Sequence, residues 1–365
     1  FPFTTFNGIL MANEKFIELK LCSFAQKVFN VLAIVILLLK GSDVFALVLV
    51  NGISNAIFVS IKYILIKTRT SQKVKIRYWN LNIAKKLFDY SLWVTVINIA
   101  QRCIFNIMPT MIAAFIGASE VTFFSLAAIL EGYVYTFAEA INGMFMPRIT
   151  RILNKENNEP LLNKLVCNVG KYHIYTLGLI YIGFIIIGKK FIELWLGPGY
   201  MQVYYCALIL ILPSLIDVPL QVAKTSLLVC DVVKQQAAVF VTMGVINILL
   251  SVILIPRIGI IGAACAVCIS YLIRTAGLNV LYHKNLPIDL FAYYKNTYIK
   301  WGIVMIMTGI SSKFIISKVP FQNWMYLLIC IMIISFFYAV YAVCIDHEIF
   351  KLAKGILAKV KKRNT

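Results

Sequence analysis

Acidic residues are scarce in this chain. It holds only 15 Asp plus Glu among 365 residues, against 35 Lys plus Arg, for a formal net charge of +20. Charged residues of both signs make up 14% of the total, where soluble domains carry roughly 25%, so the chain cannot cover an ordinary globular surface. Histidine is rarer still. His173, His283 and His347 stand at the ends of apolar runs and never cluster with a second ligand, which excludes a histidine-built metal centre. Also missing are a Gly-x-x-x-x-Gly-Lys-Ser/Thr loop, a Gly-x-Ser-x-Gly elbow and the paired aspartates of a metal-dependent glycosyltransferase. We therefore expect no cofactor, no metal and no enzyme.

The nine cysteines give no disulfide framework. Eight of them, Cys22, Cys103, Cys206, Cys230, Cys265, Cys268, Cys330 and Cys344, lie in or beside apolar runs, where a thiol serves as a small hydrophobe. The Cys265 and Cys268 spacing falls within the stretch Gly259-Ile260-Ile261-Gly262-Ala263-Ala264-Cys265-Ala266, whose small residues suit close helix packing better than redox chemistry.

What the chain has in abundance is apolar length. Hydrophobic residues make up 61% and mean hydropathy is +0.85, the signature of an all-α polytopic membrane protein. A hydrocarbon core about 30 Å thick takes about 20 helical residues to cross. The apolar runs are 21–39, 44–66, 87–116, 121–146, 172–187, 203–229, 237–255, 260–281, 301–316 and 324–345. The chain opens on Phe1, and its first run, 1–11, is too short to span and has no basic residues before it, unlike a cleavable signal peptide. We take it as the end of a cut helix, for eleven spans in all.

Basic residues separate by side. Alternate connections hold 28 of the 35 Lys and Arg, the other connections hold six, and Arg102 falls inside a span. Retention of positive charge on the cytoplasmic side then places the basic set, which includes Arg274 to Lys300 and the 346–365 tail, in the cytoplasm. The same distribution accounts for the net charge through anionic lipid headgroups and leaves no need for nucleic acid. The polar stretch 67–86 reads as a linker. It divides residues 1–66, the end of one helical lobe, from 87–283, a second lobe, followed by a helix pair at 284–345.

An ionisable group at the bilayer centre costs at least roughly 2.5 to 3.5 kcal/mol, so it faces a bundle interior or an aqueous cavity. Thr95, Asn98, Arg102, Asn106 and Pro109 recur every three or four residues and share one helical face. The next span carries Glu131 and Glu139, either of which can pair with Arg102. Asp217, Gln221 and Lys224 share a face of the span 203–229, which Pro213 and Pro219 break. Two readings stand. In one, Arg102 with Glu131 and Asp217 with Lys224 are buried pairs that fix helix register. In the other these residues line a lumen, where Arg102 and Lys224 attract an anionic head group and the carboxylates hold a counter-cation or tune the field.

Four stretches carry a family likeness. Phe123-Phe124-Ser125-Leu126-Ala127-Ala128, continuing to Ile141-Asn142-Gly143-Met144-Phe145-Met146-Pro147-Arg148-Ile149, resembles the eighth helix of polysaccharide-type flippases. Phe191-Ile192-Glu193-Leu194-Trp195-Leu196-Gly197-Pro198-Gly199-Tyr200 is similar to that family's external loop, and Pro256-Arg257-Ile258-Gly259-Ile260-Ile261-Gly262 to a later loop and helix start. The opening, with Asn7-Gly8-Ile9-Leu10 and Asn13-Glu14-Lys15, resembles the fourth helix and the loop after it.

The family is the oligosaccharide flippase branch of the multidrug/oligosaccharidyl-lipid/polysaccharide exporter superfamily. The resemblance implies fourteen helices, of which helices four to fourteen are present, as two lobes around a central cavity plus a C-terminal pair. It also implies transfer of undecaprenyl-diphosphate-linked repeat units of O-antigen, capsule or a related polysaccharide across a bacterial inner membrane. Membrane lipids and polysaccharide-assembly proteins would be partners. Asn98, Arg102, Asn106, Glu131, Glu139, Asp217, Gln221 and Lys224 would then stand toward the cavity. A multidrug cation antiporter and a peptidoglycan-precursor flippase share the scaffold. A membrane-embedded polymerase or acyltransferase is the alternative from another class, although the short, mostly apolar external connection around 189–202 gives it little room.

Overall fold

A computed structural model describes residues 5–13, 15–39, 41, 44–70, 80–142, 146–153, 159–316 and 324–346, without the side chains of 38, 44, 46, 47, 103, 137–142, 146 and 147. Most of the expected linker, all of the basic tail after Asp346 and the side chain of Glu139 lie outside the described residues. The described part of every apolar run named above is helical, the run 203–229 in several pieces, and no strand occurs among the described residues.

The chain divides into two compact units, Phe1–Ala84 and Lys85–Thr365. In the first, α1 (Thr5–Ala12), α2 (Phe16–Leu39) and α3 (Val44–Arg69) pack together around Leu10, Leu19 and Ile66. Gln26 Nε2 donates to Asn55 Oδ1 at 2.6 Å, tying α2 to α3. The outer faces of both helices expose Leu, Ile, Val and Phe, as lipid-facing surfaces do.

The second unit holds the larger core. It takes in α4 (Leu81–Phe115) from Lys85 onward and α5 (Ala118–Asn142), followed by the short amphipathic α6 (Met146–Leu153) and the long α7 (Glu159–Leu196). Ile97, Ile104, Met108 and Ile112 of α4 face the core at helical spacing. The run 203–229 is broken as its prolines predict. It comprises α8 (Met201–Ile211), α9 (Ser214–Asp217), a 3₁₀ turn at Val218–Leu220 and α10 (Gln221–Val229). Broken backbone at membrane depth needs other hydrogen-bond donors. Ser214 Oγ donates to the Ile211 carbonyl at 2.6 Å, and Tyr298 Oη donates to the Leu215 carbonyl at 2.9 Å.

Two expected spans join in α11 (Val233–Asn285), whose helix is interrupted at Ile258 (φ −129°, ψ 19°) and Gly259 (φ 62°, ψ −141°), just after Pro256. A Cβ on Gly262 would collide with the Leu254 carbonyl. Eight residues of straight helix would separate those positions by about 12 Å, so the chain turns back at Gly259. Only a residue without Cβ adopts that backbone conformation at low cost. The small-residue stretch after it is buried, with Ala263, Ala264 and Ala266 fully so.

Finally α12 (Leu290–Ile316) and α13 (Trp324–Ile345) pack on each other and on α7. Gly178 of α7 provides the space for Trp301 and Tyr338, and Tyr338 Oη donates to the Tyr175 carbonyl at 2.8 Å. The buried Lys171 and Asp346 meet at 3.2 Å. Among the described residues seven helical stretches are long and apolar enough to cross a membrane, the broken segment Pro198–Val229 and α11 each counted once. The protein is an all-α, multi-pass membrane protein.

Candidate functional site

Intramembrane polar groups gather where α4, α5, the broken α8 to α10 segment and the second half of α11 meet. Two adjoining cavities lie there, sharing Gln101, Phe105 and Tyr135 in their walls.

The outer cavity, about 460 Å³, is lined by Asn98, Gln101, Arg102 and Asn106 of α4, Lys224 of α10 and Gln236 of α11. Among the described residues two cations and no carboxylate border it. Asn98, Arg102 and Asn106 follow one another at four-residue spacing and are exposed, so the α4 face read from the sequence is the cavity wall. Thr95, from the same stripe, instead donates to the Ser91 carbonyl at 2.7 Å.

The inner cavity, about 260 Å³, is bordered by Glu131 of α5, Ser214 and Asp217 of the broken helix, and Tyr271 and Arg274 of α11. Here the structure corrects the expected pairing. Asp217 does not pair with Lys224. Its Oδ2 lies 2.8 Å from Arg274 Nη2, with both side chains almost wholly buried. The approach is close but off the N–H axis, leaving Asp217 Oδ2 and Arg274 Nε without hydrogen bonds. The guanidinium also stacks 4.3 Å from the Tyr271 ring and 5.3 Å from that of Phe240, whose ring lies 5.2 Å from Lys224 Nζ.

Nor does Arg102 pair with Glu131. Among the described residues no ion pair joins them. Arg102 borders the outer cavity, while Glu131 is buried at the inner one. Gln221 borders neither, and its Oε1 is buried without a hydrogen-bond partner. Arg274 is a further correction. Charge counting assigns it to a cytoplasmic connection, yet it is 3% exposed within α11. Its position inside the apolar run 260–281 was the available signal. Tyr271, one turn earlier, and Gln101 and Gln236 carry no comparable mark in the sequence.

Chemically, the outer cavity suits an anion. A guanidinium binds phosphate oxygens through paired N–H groups, and an ammonium adds a point charge. The inner cavity holds one guanidinium against two carboxylates. Among the described residues no group of three His, Cys, Asp or Glu could hold a metal ion.

A family model described as polysaccharide biosynthesis protein matches residues 6–205. The chain belongs to that family. The match runs from α1 into α8 and so takes in Arg102, Glu131 and the α4 wall of the outer cavity. No curated protein matches the sequence. Among solved structures, the fold of this family member is similar to that of "Lipid II flippase MurJ, inward closed conformation", with a TM-score of 0.62 at 12% identity. The likeness covers 89% of this chain and 66% of that one, so the chain spans less than two thirds of the relative's length. At that identity the likeness establishes a shared fold.

Proposed function

We propose that this protein is a transporter and not an enzyme. In this reading it moves undecaprenyl-diphosphate-linked oligosaccharide repeat units from the cytoplasmic to the periplasmic leaflet of a bacterial inner membrane by alternating access, with its C-terminus in the cytoplasm. The repeat units are those of O-antigen, capsule or a similar surface polysaccharide. The observation that carries this reading is the outer cavity, bordered among the described residues by Arg102 and Lys224 with Asn98, Asn106 and Gln236 and by no carboxylate. Such a wall attracts a diphosphate, and its amides suit sugar hydroxyls. The lipid tail stays in the bilayer while the head group occupies the cavity. Membership of a polysaccharide biosynthesis family supports the substrate class, and a fold shared with a lipid II flippase supports the mode of transfer.

Complementation tests it. The parent protein is expressed in a strain lacking its own repeat-unit flippase, and surface polysaccharide is stained. Restored polysaccharide, lost with Arg102→Ala and partly kept with Arg102→Lys at equal expression, is the expected result. Normal polysaccharide in the Arg102→Ala cells would sink the reading.

The inner cavity favours a second reading. Glu131 and Asp217 outnumber Arg274 there, as suits a cation antiporter of the same superfamily. Ion-coupled efflux of a fluorescent cation from vesicles, abolished by Glu131→Gln, would support that reading over the first.

A further inference from the structure

A third cavity, of about 420 Å³, lies apart from the two already described. It sits between α6 and the first half of α7, and its walls include Arg148 of α6 and Lys164, Asn168, Tyr172, His173 and Thr176 of α7. We propose that this cavity binds the phosphate-bearing headgroup of an anionic membrane lipid, with Arg148 and Lys164 as the phosphate ligands.

Three observations converge on that assignment. The first is charge. Among the described residues two cations and no carboxylate line the cavity, and neither Arg148 nor Lys164 makes an ion pair. Both are exposed on a frame that is otherwise fixed, since Ile149, Ile152, Leu165 and Val169 beside them are buried. A guanidinium and an ammonium converging from two helices on one opening make a phosphate site rather than a solvated surface.

The second is depth. α7 has 38 residues, about 57 Å of helix, whereas a hydrocarbon core is about 30 Å thick. Its most apolar run is 172–187, so the α7 stretch that walls the cavity, from Leu161 to Thr176, leads from the helix's polar first turns into that run, as a helix does where it enters the hydrocarbon edge. Headgroup phosphates lie at that level. A free anion would find the same cations, but only a lipid also meets the apolar side chains continuing below Thr176.

The third is the form of α6. Its eight residues, Met-Pro-Arg-Ile-Thr-Arg-Ile-Leu, alternate buried isoleucines with outward arginines. It is the next helix in the chain after α5 and packs on α7 and α10. A short helix with an apolar underside and a basic upper side lies in the plane of the interface, which brings Arg148 over the cavity mouth. Asn168 and Thr176 add neutral hydrogen-bonding groups for headgroup or glycerol oxygens.

Native mass spectrometry of the full chain in neutral detergent tests the assignment, with phosphatidylglycerol and phosphatidylcholine titrated separately. One phosphatidylglycerol should be retained in preference to phosphatidylcholine, and R148Q and K164Q should each weaken its retention about fivefold. The charge-keeping double variant R148K/K164R should retain it, which distinguishes loss of the site from loss of the fold. Equal retention of both lipids would overturn the proposal. So would unchanged phosphatidylglycerol retention in R148Q/K164Q, or retention lost equally in R148K/K164R. Binding of inorganic phosphate to the wild type without any retention of phosphatidylglycerol would overturn the lipid as the source of the phosphate.

Discussion

Arg274, on the second half of α11, meets Asp217, on the short α9, at 2.8 Å with both side chains buried. The pair ties the broken segment to the second half of α11 beside the inner cavity. Burying two charges costs about as much as their attraction returns, whereas removing one partner leaves the other charge buried and uncompensated. Asp217→Leu should therefore destabilise the protein by about 3 to 5 kcal/mol, seen as a lowered thermal midpoint in detergent. A midpoint unchanged from wild type would mean that Arg274 finds other compensation.

The double variant Asp217→Leu/Arg274→Met separates stability from transport. With neither charge present, no uncompensated ion remains, and the thermal midpoint should recover most of the loss. Surface polysaccharide in the complementation assay should stay low if the pair serves the cavity. Full recovery of both would make the pair a register device only.

Arg102 should behave in the opposite way. Its side chain is exposed at the outer cavity and forms no ion pair among the described residues. Arg102→Ala should change stability by no more than about 0.5 kcal/mol while abolishing export. A large fall in thermal midpoint would show that the residue acts on folding.

Gly259 tests the turn inside α11. Its φ of 62° with ψ of −141° is a conformation that side-chain-bearing residues hold at about 1 to 3 kcal/mol. Gly259→Ala should lower stability by that amount, although no neighbour lies within 4 Å of the added methyl. Gly199, which has equally open space and no positive φ, is the control, and Gly199→Ala should leave the midpoint close to wild type. Equal effects in both would remove backbone strain as the cause.

Gly178 tests docking of the last two helices. A Cβ there would meet Trp301 and Tyr338, and Tyr338 Oη donates to the Tyr175 carbonyl at 2.8 Å. Overpacking of this kind costs about 1 to 3 kcal/mol, so Gly178→Ala should loosen α12 and α13 from α7. Faster amide exchange confined to Trp301–Tyr341 would report it, and exchange rates equal to wild type would refute it.

The sequence by itself determined where helices form, because a span must hold enough consecutive apolar residues to cross the hydrocarbon. Thus the described part of each run from 21–39 to 324–345 is helical, the run 203–229 in several pieces. It also determined the break at Pro213 and Pro219 and the shared face of Asn98, Arg102 and Asn106, since both are properties of one helix alone. Pairing across helices was decided by the tertiary structure. Asp217 faces the same direction whether its partner is Lys224 or Arg274, and the periodicity of one helix says nothing about the rotation and depth of another. Only when α11 turns back at Gly259 and packs against α8 and α10 does Arg274 come within reach of that carboxylate. The same packing carries Glu131 into the inner cavity and leaves Arg102 at the outer one.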